Sequence, residues 1–170
     1  MALSGTLKVS ANFTQTKTPD LTSASAAIAH ALTLTFTDGT AAGSADRIWV
    51  DTRTLTASSS ETIDLSGTLT NAYGDSVVFA DLRAILVTAD STNTNNVNVT
   101  RPSTSPITGL PLFLADGDGI AVRPGGVFVW GCPDATGVAV TATTADKISF
   151  ANSAGSTSVT YSVILIGASA

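Results

Sequence analysis

The clustered carboxylates of Asp116-Gly-Asp-Gly119 are the first residues whose types and spacing suggest chemistry. Calcium ions bind clustered carboxylate oxygens, and glycine permits the tight turn that brings such groups together. The calcium-loop pattern also requires a glutamate at its twelfth position, which here is Val127. The segment is equally typical of a turn in which Asp side chains accept hydrogen bonds from backbone N–H groups. We therefore predict a turn and no metal site here.

A cysteine and a histidine form the second candidate for chemistry. Cys132, His30 and Asp134 could serve as nucleophile, base and orienting carboxylate, because cysteine catalysis needs a thiolate beside an imidazole. Nothing in the sequence places His30 near Cys132, and the surrounding residues match no nucleophile motif. We predict instead that Cys132 is a small buried thiol at the end of a strand. With one cysteine in the chain, no intrachain disulfide can form.

The remaining acidic and Gly-rich patterns predict no catalytic or cofactor site. Glu61 is the only glutamate, so a Glu–Glu acid/base pair within one chain is impossible. The aspartates fall mostly in predicted turns, where their side chains hydrogen-bond the backbone. Gly117, Gly119, Gly125 and Gly126 fit neither the phosphate-binding loop nor the dinucleotide-binding pattern. We expect no catalytic residues, no cofactor and no enzymatic activity.

Aromatic residues leave one binding function open. Trp49, Trp130, Tyr73 and Tyr161 could form a platform on which sugar rings stack. Aromatic side chains at strand positions are more typical of a hydrophobic core, and we expect the core position here. A sugar-binding platform would require Trp49, Trp130 or Tyr73 to be exposed together near polar groups.

Short alternating segments separated by turn residues must position all of these groups. Ile120–Val122 and Val127–Trp130 flank Arg123-Pro-Gly-Gly126 and predict a β-hairpin, because Pro and Gly favour a tight turn. Leu32–Thr37 and Glu61–Leu65 alternate as strands with one buried face do. Roughly ten such strands predict an all-β fold, a single-domain jelly-roll-like β-sandwich with an N-terminal extended arm.

Three stretches are less regular. Leu21–Ala31 is rich in alanine, the best helix former, and is read as a short helix or else as a loop. Ser76–Val87 is predicted to be a strand with a bulge or kink near Asp81. Leu112–Leu114 is expected to pair briefly within a Pro-containing connection.

The N-terminal segment is the candidate interface. Leu3, Leu7, Val9 and Phe13 share one face of a predicted strand. Pro19 separates this segment from the rest of the chain, so residues 1–18 are expected to form a strand or arm, and residues 19–170 the sandwich body. Such an arm could add a strand to the sheet edge of a neighbouring copy.

Composition excludes several partners. The chain has 170 residues, 44% of them hydrophobic and only 12% charged, with a net charge of −5. A nucleic-acid-binding protein needs a basic face, and an anionic membrane surface attracts basic residues, so we expect neither partner. The N-terminus lacks the pattern of a signal peptide, which leads us to expect synthesis in the cytoplasm without export.

Longer stretches carry a resemblance to a family. They are Arg47-Ile-Trp-Val50 with Thr54-Leu-Thr-Ala57, Asp64–Gly74 with Phe79–Ile85, Asn93–Val97, Val122–Gly126 with Pro133–Gly137, and Asn152–Tyr161 closing on Ile164–Ala168. From about Arg47 to Ala168, the chain resembles in composition and in the pattern of these stretches the small virion proteins of phages that have an auxiliary-capsid role.

The resemblance implies a decoration or cement protein on the outer capsid surface of a bacteriophage. It implies the major capsid protein as partner, a location on the virion after synthesis in the host cytoplasm, and no catalytic residues. A homo-oligomer, most naturally a homotrimer, is expected, because a closed ring satisfies its own contacts. The alternative from a different class is a tail-fibre or receptor-binding module that recognises carbohydrate.

Overall fold

The computed structural model describes residues 2–67, 69–110, 114–134 and 136–170. Within these ranges the chain forms strands and turns without any helix, which confirms the all-β prediction and leaves no helical segment that could cross a membrane. The strands are β1 (Gly5–Lys17), β2 (Ala24–Phe36), β3 (Arg47–Leu55), β4 (Ser60–Asp64), β5 (Leu69–Thr70), β6 (Ser76–Val77), β7 (Asp81–Ala89), β8 (Val97–Thr100), β9 (Gly119–Val122), β10 (Val127–Gly131), β11 (Val138–Ala139), β12 (Lys147–Asn152) and β13 (Val159–Ala168).

Two antiparallel sheets make up most of the fold. The first sheet has the strand order β10-β7-β13-β3, with β11 also pairing with β7, and the second has the order β4-β12-β8-β9. Alternate residues of β13 and β12 are buried, as expected when one face of each sheet is covered. The core contains apolar side chains of both sheets, among them Ile85, Val163 and Leu165 of the first and Val99, Ile148 and Phe150 of the second.

A polar cluster joins the edges of the two sheets. The Tyr161 hydroxyl on β13 donates to Glu61 Oε1 on β4 over 2.8 Å, and Arg53 Nε on β3 donates to Glu61 Oε2 over 2.6 Å. Burial, together with the bond to Glu61, raises the pKa of Tyr161. The same carboxylate raises the pKa of Arg53. The Tyr161 ring stacks on Phe150 with centroids 4.8 Å apart. Because Glu61 accepts hydrogen bonds from both Tyr161 and Arg53, its carboxylate links the two sheets.

The predicted helix over Leu21–Ala31 is wrong. Most of that stretch lies in β2, which pairs with β1 from Lys17↔Ala24 to Gly5↔Phe36 in a separate two-stranded sheet. Pairing with β1 satisfies the backbone of β2 and overrides the helix propensity of alanine, which is a weak preference. A period of two in the larger side chains, seen at Ile28, Leu32 and Leu34, was the sequence signal for a strand.

The predicted hairpin between residues 119 and 131 is also wrong. Both strands and the turn are present, and Gly126 N donates to Arg123 O over 2.7 Å. However, β9 pairs with β8 in the second sheet, whereas β10 pairs with β7 in the first. The turn therefore carries the chain from one sheet to the other. Local turn residues predict that the chain reverses, but they do not determine which strand each segment pairs with.

Two other predictions are resolved in part. The strand predicted over Ser76–Val87 is divided into β6 and β7, and the pairing of β7 with β13 shifts register between Ile166 and Gly167. This irregularity lies opposite Arg83, close to the predicted position at Asp81. Of the stretch Leu112–Leu114, for which a brief pairing was predicted, residues 112 and 113 lie outside the described residues.

Candidate binding surface

The β1–β2 pair, here called the N-terminal hairpin, has one apolar and one polar face. Directly paired residues lie on the same face of an antiparallel sheet. The apolar face carries the pairs Leu7↔Leu34, Val9↔Leu32, Ala11↔His30 and Phe13↔Ile28. The opposite face carries Thr6↔Thr35, Lys8↔Thr33, Ser10↔Ala31 and Asn12↔Ala29. The hairpin is therefore amphipathic along most of its length.

The base of the hairpin packs on the first sheet. Phe36 and Ala84 are buried there, and Leu3, Leu7 and Leu34 pack around them. The Leu3 amide also donates to Asp38 Oδ1 over 2.9 Å, which fixes the start of the chain. A side chain at Gly131 would collide with Leu34, so glycine permits this close approach.

The distal half of the hairpin is exposed. Phe13 is 68% exposed and its cross-strand neighbour Ile28 is 53% exposed, while Val9 and Leu32 are about half exposed. An isolated two-stranded hairpin is marginally stable in water, because three strands or a packing partner are normally needed. An apolar face of this length without a cover is typical of a binding surface.

The outer face of the first sheet is apolar as well. The register aligns one residue from each of four strands in a row, namely Val50, Ile164, Leu86 and Val129. Val50 is 57% exposed and the other three are partly exposed, so the row is only partly covered. Together with Ile48 and Ile166 in the next row, these residues form what we call the outer sheet face.

The apolar face of the hairpin and the outer sheet face meet at a cleft. A space of about 350 Å³ lies between Leu7, Val9 and Leu32 on the hairpin and Val129 on β10. The two apolar surfaces are therefore contiguous, and a single partner segment could contact both.

A buried arginine fixes the loop that connects the hairpin to β3. Arg83 is 0% exposed, and its guanidinium donates to the backbone oxygens of Thr40, Ala41 and Ser44. Arg83 Nε also forms an ion pair with Asp81 Oδ1 at 2.8 Å. Because the loop leads directly out of β2, these bonds hold the hairpin in one orientation relative to the sheets.

The residues considered for cysteine catalysis lie in a different arrangement. Cys132 directly follows β10, as predicted, but it is partly exposed and not buried, and its thiol donates to Asp134 Oδ2 over 3.1 Å. Burial, followed by that hydrogen bond, raises the pKa of the Cys132 thiol, which is opposite to what an activated nucleophile requires. His30 lies on the apolar face of the hairpin, where it lines the cleft with Gly131.

In the turn Asp116-Gly-Asp-Gly119, one aspartate accepts a backbone hydrogen bond and the other lies near an arginine. Asp118 Oδ2 accepts a hydrogen bond from Ala115 N over 2.7 Å, and Asp116 lies 3.4 Å from Arg101 Nε. Among the described residues, no three His, Cys, Asp or Glu side chains are grouped as metal ligands.

The aromatic residues do not form a common exposed platform. Trp49 is only 4% exposed and belongs to the core, and Trp130 packs partly against the same core. Tyr73 is 79% exposed, and Tyr161 is buried in the polar cluster with Glu61. Tyr73 is thus the only one of the four whose ring is mostly free to stack on a ligand.

The predicted interface residues divide into two groups. Leu3 and Leu7 pack at the base of the hairpin, whereas Val9 and Phe13 are exposed, so the role of all four as an interface stays a prediction. Sequence reasoning missed Ile28, the partner of Phe13 on β2, because Leu21–Ala31 was read as a helix. It also missed the outer sheet face, whose rows depend on strand order. Comparison of the chain with protein-family models, curated proteins and solved structures finds no match.

Proposed function

We propose that the protein is a bacteriophage virion structural protein of the decoration or cement type, bound to the outer surface of the capsid. The observation that carries the proposal is the strand order of the two main sheets, which fits a jelly roll. Jelly rolls are double-sheet folds of eight strands that are common in viral capsid proteins and in lectins.

The pairings support the jelly-roll proposal strand by strand. Leaving out the short β5, β6 and β11 and the N-terminal hairpin, eight strands remain in the two main sheets. The outermost strands in sequence pair with each other, β3 with β13, and the next pair inward is β4 with β12. The series continues with β7 and β10, and it ends with β8 and β9. A long antiparallel hairpin rolled into two sheets has this nested order.

The exposed surfaces support a role in assembly. The apolar face of the hairpin and the outer sheet face are partly uncovered and suit contact with other proteins. Only 12% of the residues are charged, and charged residues are depleted at the centre of protein interfaces. We propose that these surfaces bind the major capsid protein and other copies of the chain in a homo-oligomer. The net charge of −5 disfavours nucleic acid and anionic membranes as partners.

The mechanism we propose is binding without chemistry. A protein that bridges neighbouring capsid subunits adds contact area that must separate before the shell can open. The two-sheet body supplies a rigid support, and Arg83 fixes the orientation of the hairpin that reaches away from it. The proposed arm consists of residues 1–18 together with β2, the strand that pairs with β1.

Copy number in purified virions tests the proposal. Quantitative mass spectrometry would give the ratio of this chain to the major capsid protein. A cement protein is expected at a simple fraction of the capsid subunits, because it occupies repeated positions on the shell. A handful of copies per particle would place the chain on the tail or at a vertex and contradict the proposal, as would its absence from the virion.

A further inference from the structure

We propose that the apolar face of the N-terminal hairpin docks on the outer sheet face of a second copy of this chain. Each chain has one exposed hairpin and one partly uncovered sheet face, so copies can exchange hairpins in equal numbers. The inference rests on the homo-oligomer in the proposed function, and it is independent of capsid binding.

Continuity of the two surfaces favours a second copy as the partner. The hairpin and the sheet meet at the cleft between Leu32 and Val129, so a hairpin entering from a neighbour would contact both walls. The same neighbour would receive the hairpin of the first chain on its own sheet. Reciprocal exchange therefore covers both apolar surfaces of both copies.

Charge points to the same partner. The docked face of the hairpin carries no carboxylate from Leu7 to Lys17 on β1 or from Ala24 to Leu34 on β2, and Lys17 is its one charged residue. Two rows of the outer sheet face are left partly exposed by the hairpin base and are free of charge, and they are Thr52, Ser162, Thr88 and Val127, and Val50, Ile164, Leu86 and Val129. Two copies each with a net charge of −5 repel at long range. Surfaces without carboxylates add nothing to this repulsion when they meet, and both of these surfaces are of that kind.

The area is sufficient for a stable contact. The part of the hairpin beyond its packed base, from Val9 to Lys17 and its paired residues, is about 30 Å long and about 10 Å wide at ordinary strand spacings. One hairpin face of this size covers roughly 300 Å², so a reciprocal pair of hairpins buries about 1,200 Å² over both copies. That value is at the lower end of the range for specific protein interfaces.

Solution mass of the purified full chain tests the inference. Light scattering during size exclusion should give an oligomer for the wild type. Phe13→Asp on the hairpin and Val50→Asp on the outer sheet face should each raise the dissociation constant at least about 30-fold, because each places a carboxylate in an apolar contact. Asn12→Asp, one residue away on the polar face, is the matched control and should keep the wild-type mass. A wild-type monomer at every concentration would overturn the inference, and so would equal effects of Phe13→Asp and Asn12→Asp.

Cross-linking between differently tagged chains gives a second readout that does not depend on folding defects. Both chains carry Cys132→Ser; one adds Phe13→Cys and the other adds Val50→Cys. A short bismaleimide should link the two tags in the mixture, and Asn12→Cys in place of Phe13→Cys should reduce that product at least tenfold. Equal linking from both positions would overturn the inference.

The two proposals fail separately. A chain that oligomerises through the hairpin but is absent from virions contradicts only the capsid role. Virions that carry Phe13→Asp chains at full copy number, as separate monomers, contradict only hairpin exchange.

Discussion

Replacing Arg83 by methionine should loosen the N-terminal hairpin and destabilise the protein. The Arg83 guanidinium is fully buried and forms an ion pair with the Asp81 carboxylate. It also donates hydrogen bonds to the backbone oxygens of Thr40, Ala41 and Ser44. Methionine has similar length, so it fills the space without restoring any of these bonds. The substitution therefore removes one partner of a buried ion pair and the donors of three carbonyl groups.

The expected loss in the free energy of unfolding follows from the groups that Arg83→Met leaves without a partner. Removing one partner of a buried ion pair costs roughly 3–5 kcal/mol, because the other charge stays buried. Asp81 keeps 16% side-chain exposure, and Thr40 and Ala41 are exposed, so water can replace part of the lost bonding. We therefore expect a loss of about 3 kcal/mol in the free energy of unfolding, at the lower end of that range. For a chain of this size the melting temperature should fall by about 6–12 °C.

Urea denaturation measures the loss in the free energy of unfolding, and amide hydrogen exchange shows which strands and loops are destabilised. Exchange should accelerate first in the loop between β2 and β3 and in the hairpin, while β13 at the centre of the first sheet stays protected. Arg123→Met is the matched control, because Arg123 is an exposed residue of the turn after β9 and should change stability by less than about 0.5 kcal/mol. A loss below about 1 kcal/mol for Arg83→Met, or unchanged exchange in the loop, would refute the proposed role of Arg83.

Three other substitutions test separate parts of the fold. The pKa of Tyr161 is raised by burial and by Glu61, so its stabilising contribution is complete below the ordinary tyrosine pKa of about 10 and is lost as pH rises further. Tyr161→Phe should therefore lessen the fall in stability above about pH 10. Urea titration at a series of pH values measures this fall. Burial raises the pKa of Asp46, but hydrogen bonds from Ser169 outweigh it and lower the pKa overall. This contribution is complete above about pH 3.9 and is lost below it, so Asp46→Asn should flatten the stability profile in acid. Gly167→Ala should lower stability by about 2 kcal/mol or more in the same titration, because its Cβ would collide with a backbone oxygen of β7.

Each of these changes has a matched control. Tyr73→Phe alters an exposed ring and should leave the alkaline profile as in the wild type. Asp20→Asn alters an exposed carboxylate and should leave the acid profile unchanged. Gly5→Ala adds a methyl group where nothing lies within 4 Å and should cost little. If a control changed the measured profile as much as its partner, the structural reason given for that partner would be wrong.

Side-chain alternation carried much of the strand assignment. Glu61–Leu65 was predicted as a strand with Ile63 and Leu65 on one face, and β4 spans most of it with Ile63 buried. The assignment failed at Leu21–Ala31, where helix propensity was given more weight than the period of two. A pairing partner in β1 decided the outcome, and local propensity contains no information about that partner.

Connectivity and the candidate surface were harder to predict. The turn Arg123–Gly126 was recognised, but the assignment of β9 and β10 to different sheets depends on contacts distant in sequence. Arg83 looked like one charged residue in an apolar run, and its burial follows from the loop folded over it. The outer sheet face exists only once four strands are aligned, so no single segment predicts it.

Add-back of the purified chain to virus particles assembled without it tests the cement role most directly. The measurement is the temperature of genome release, recorded together with the number of bound copies per particle. We predict saturable binding at a simple fraction of the capsid subunits and a release temperature that rises with occupancy. Particles that bind no chain, or that release their genome at the same temperature when saturated, would contradict the proposed function.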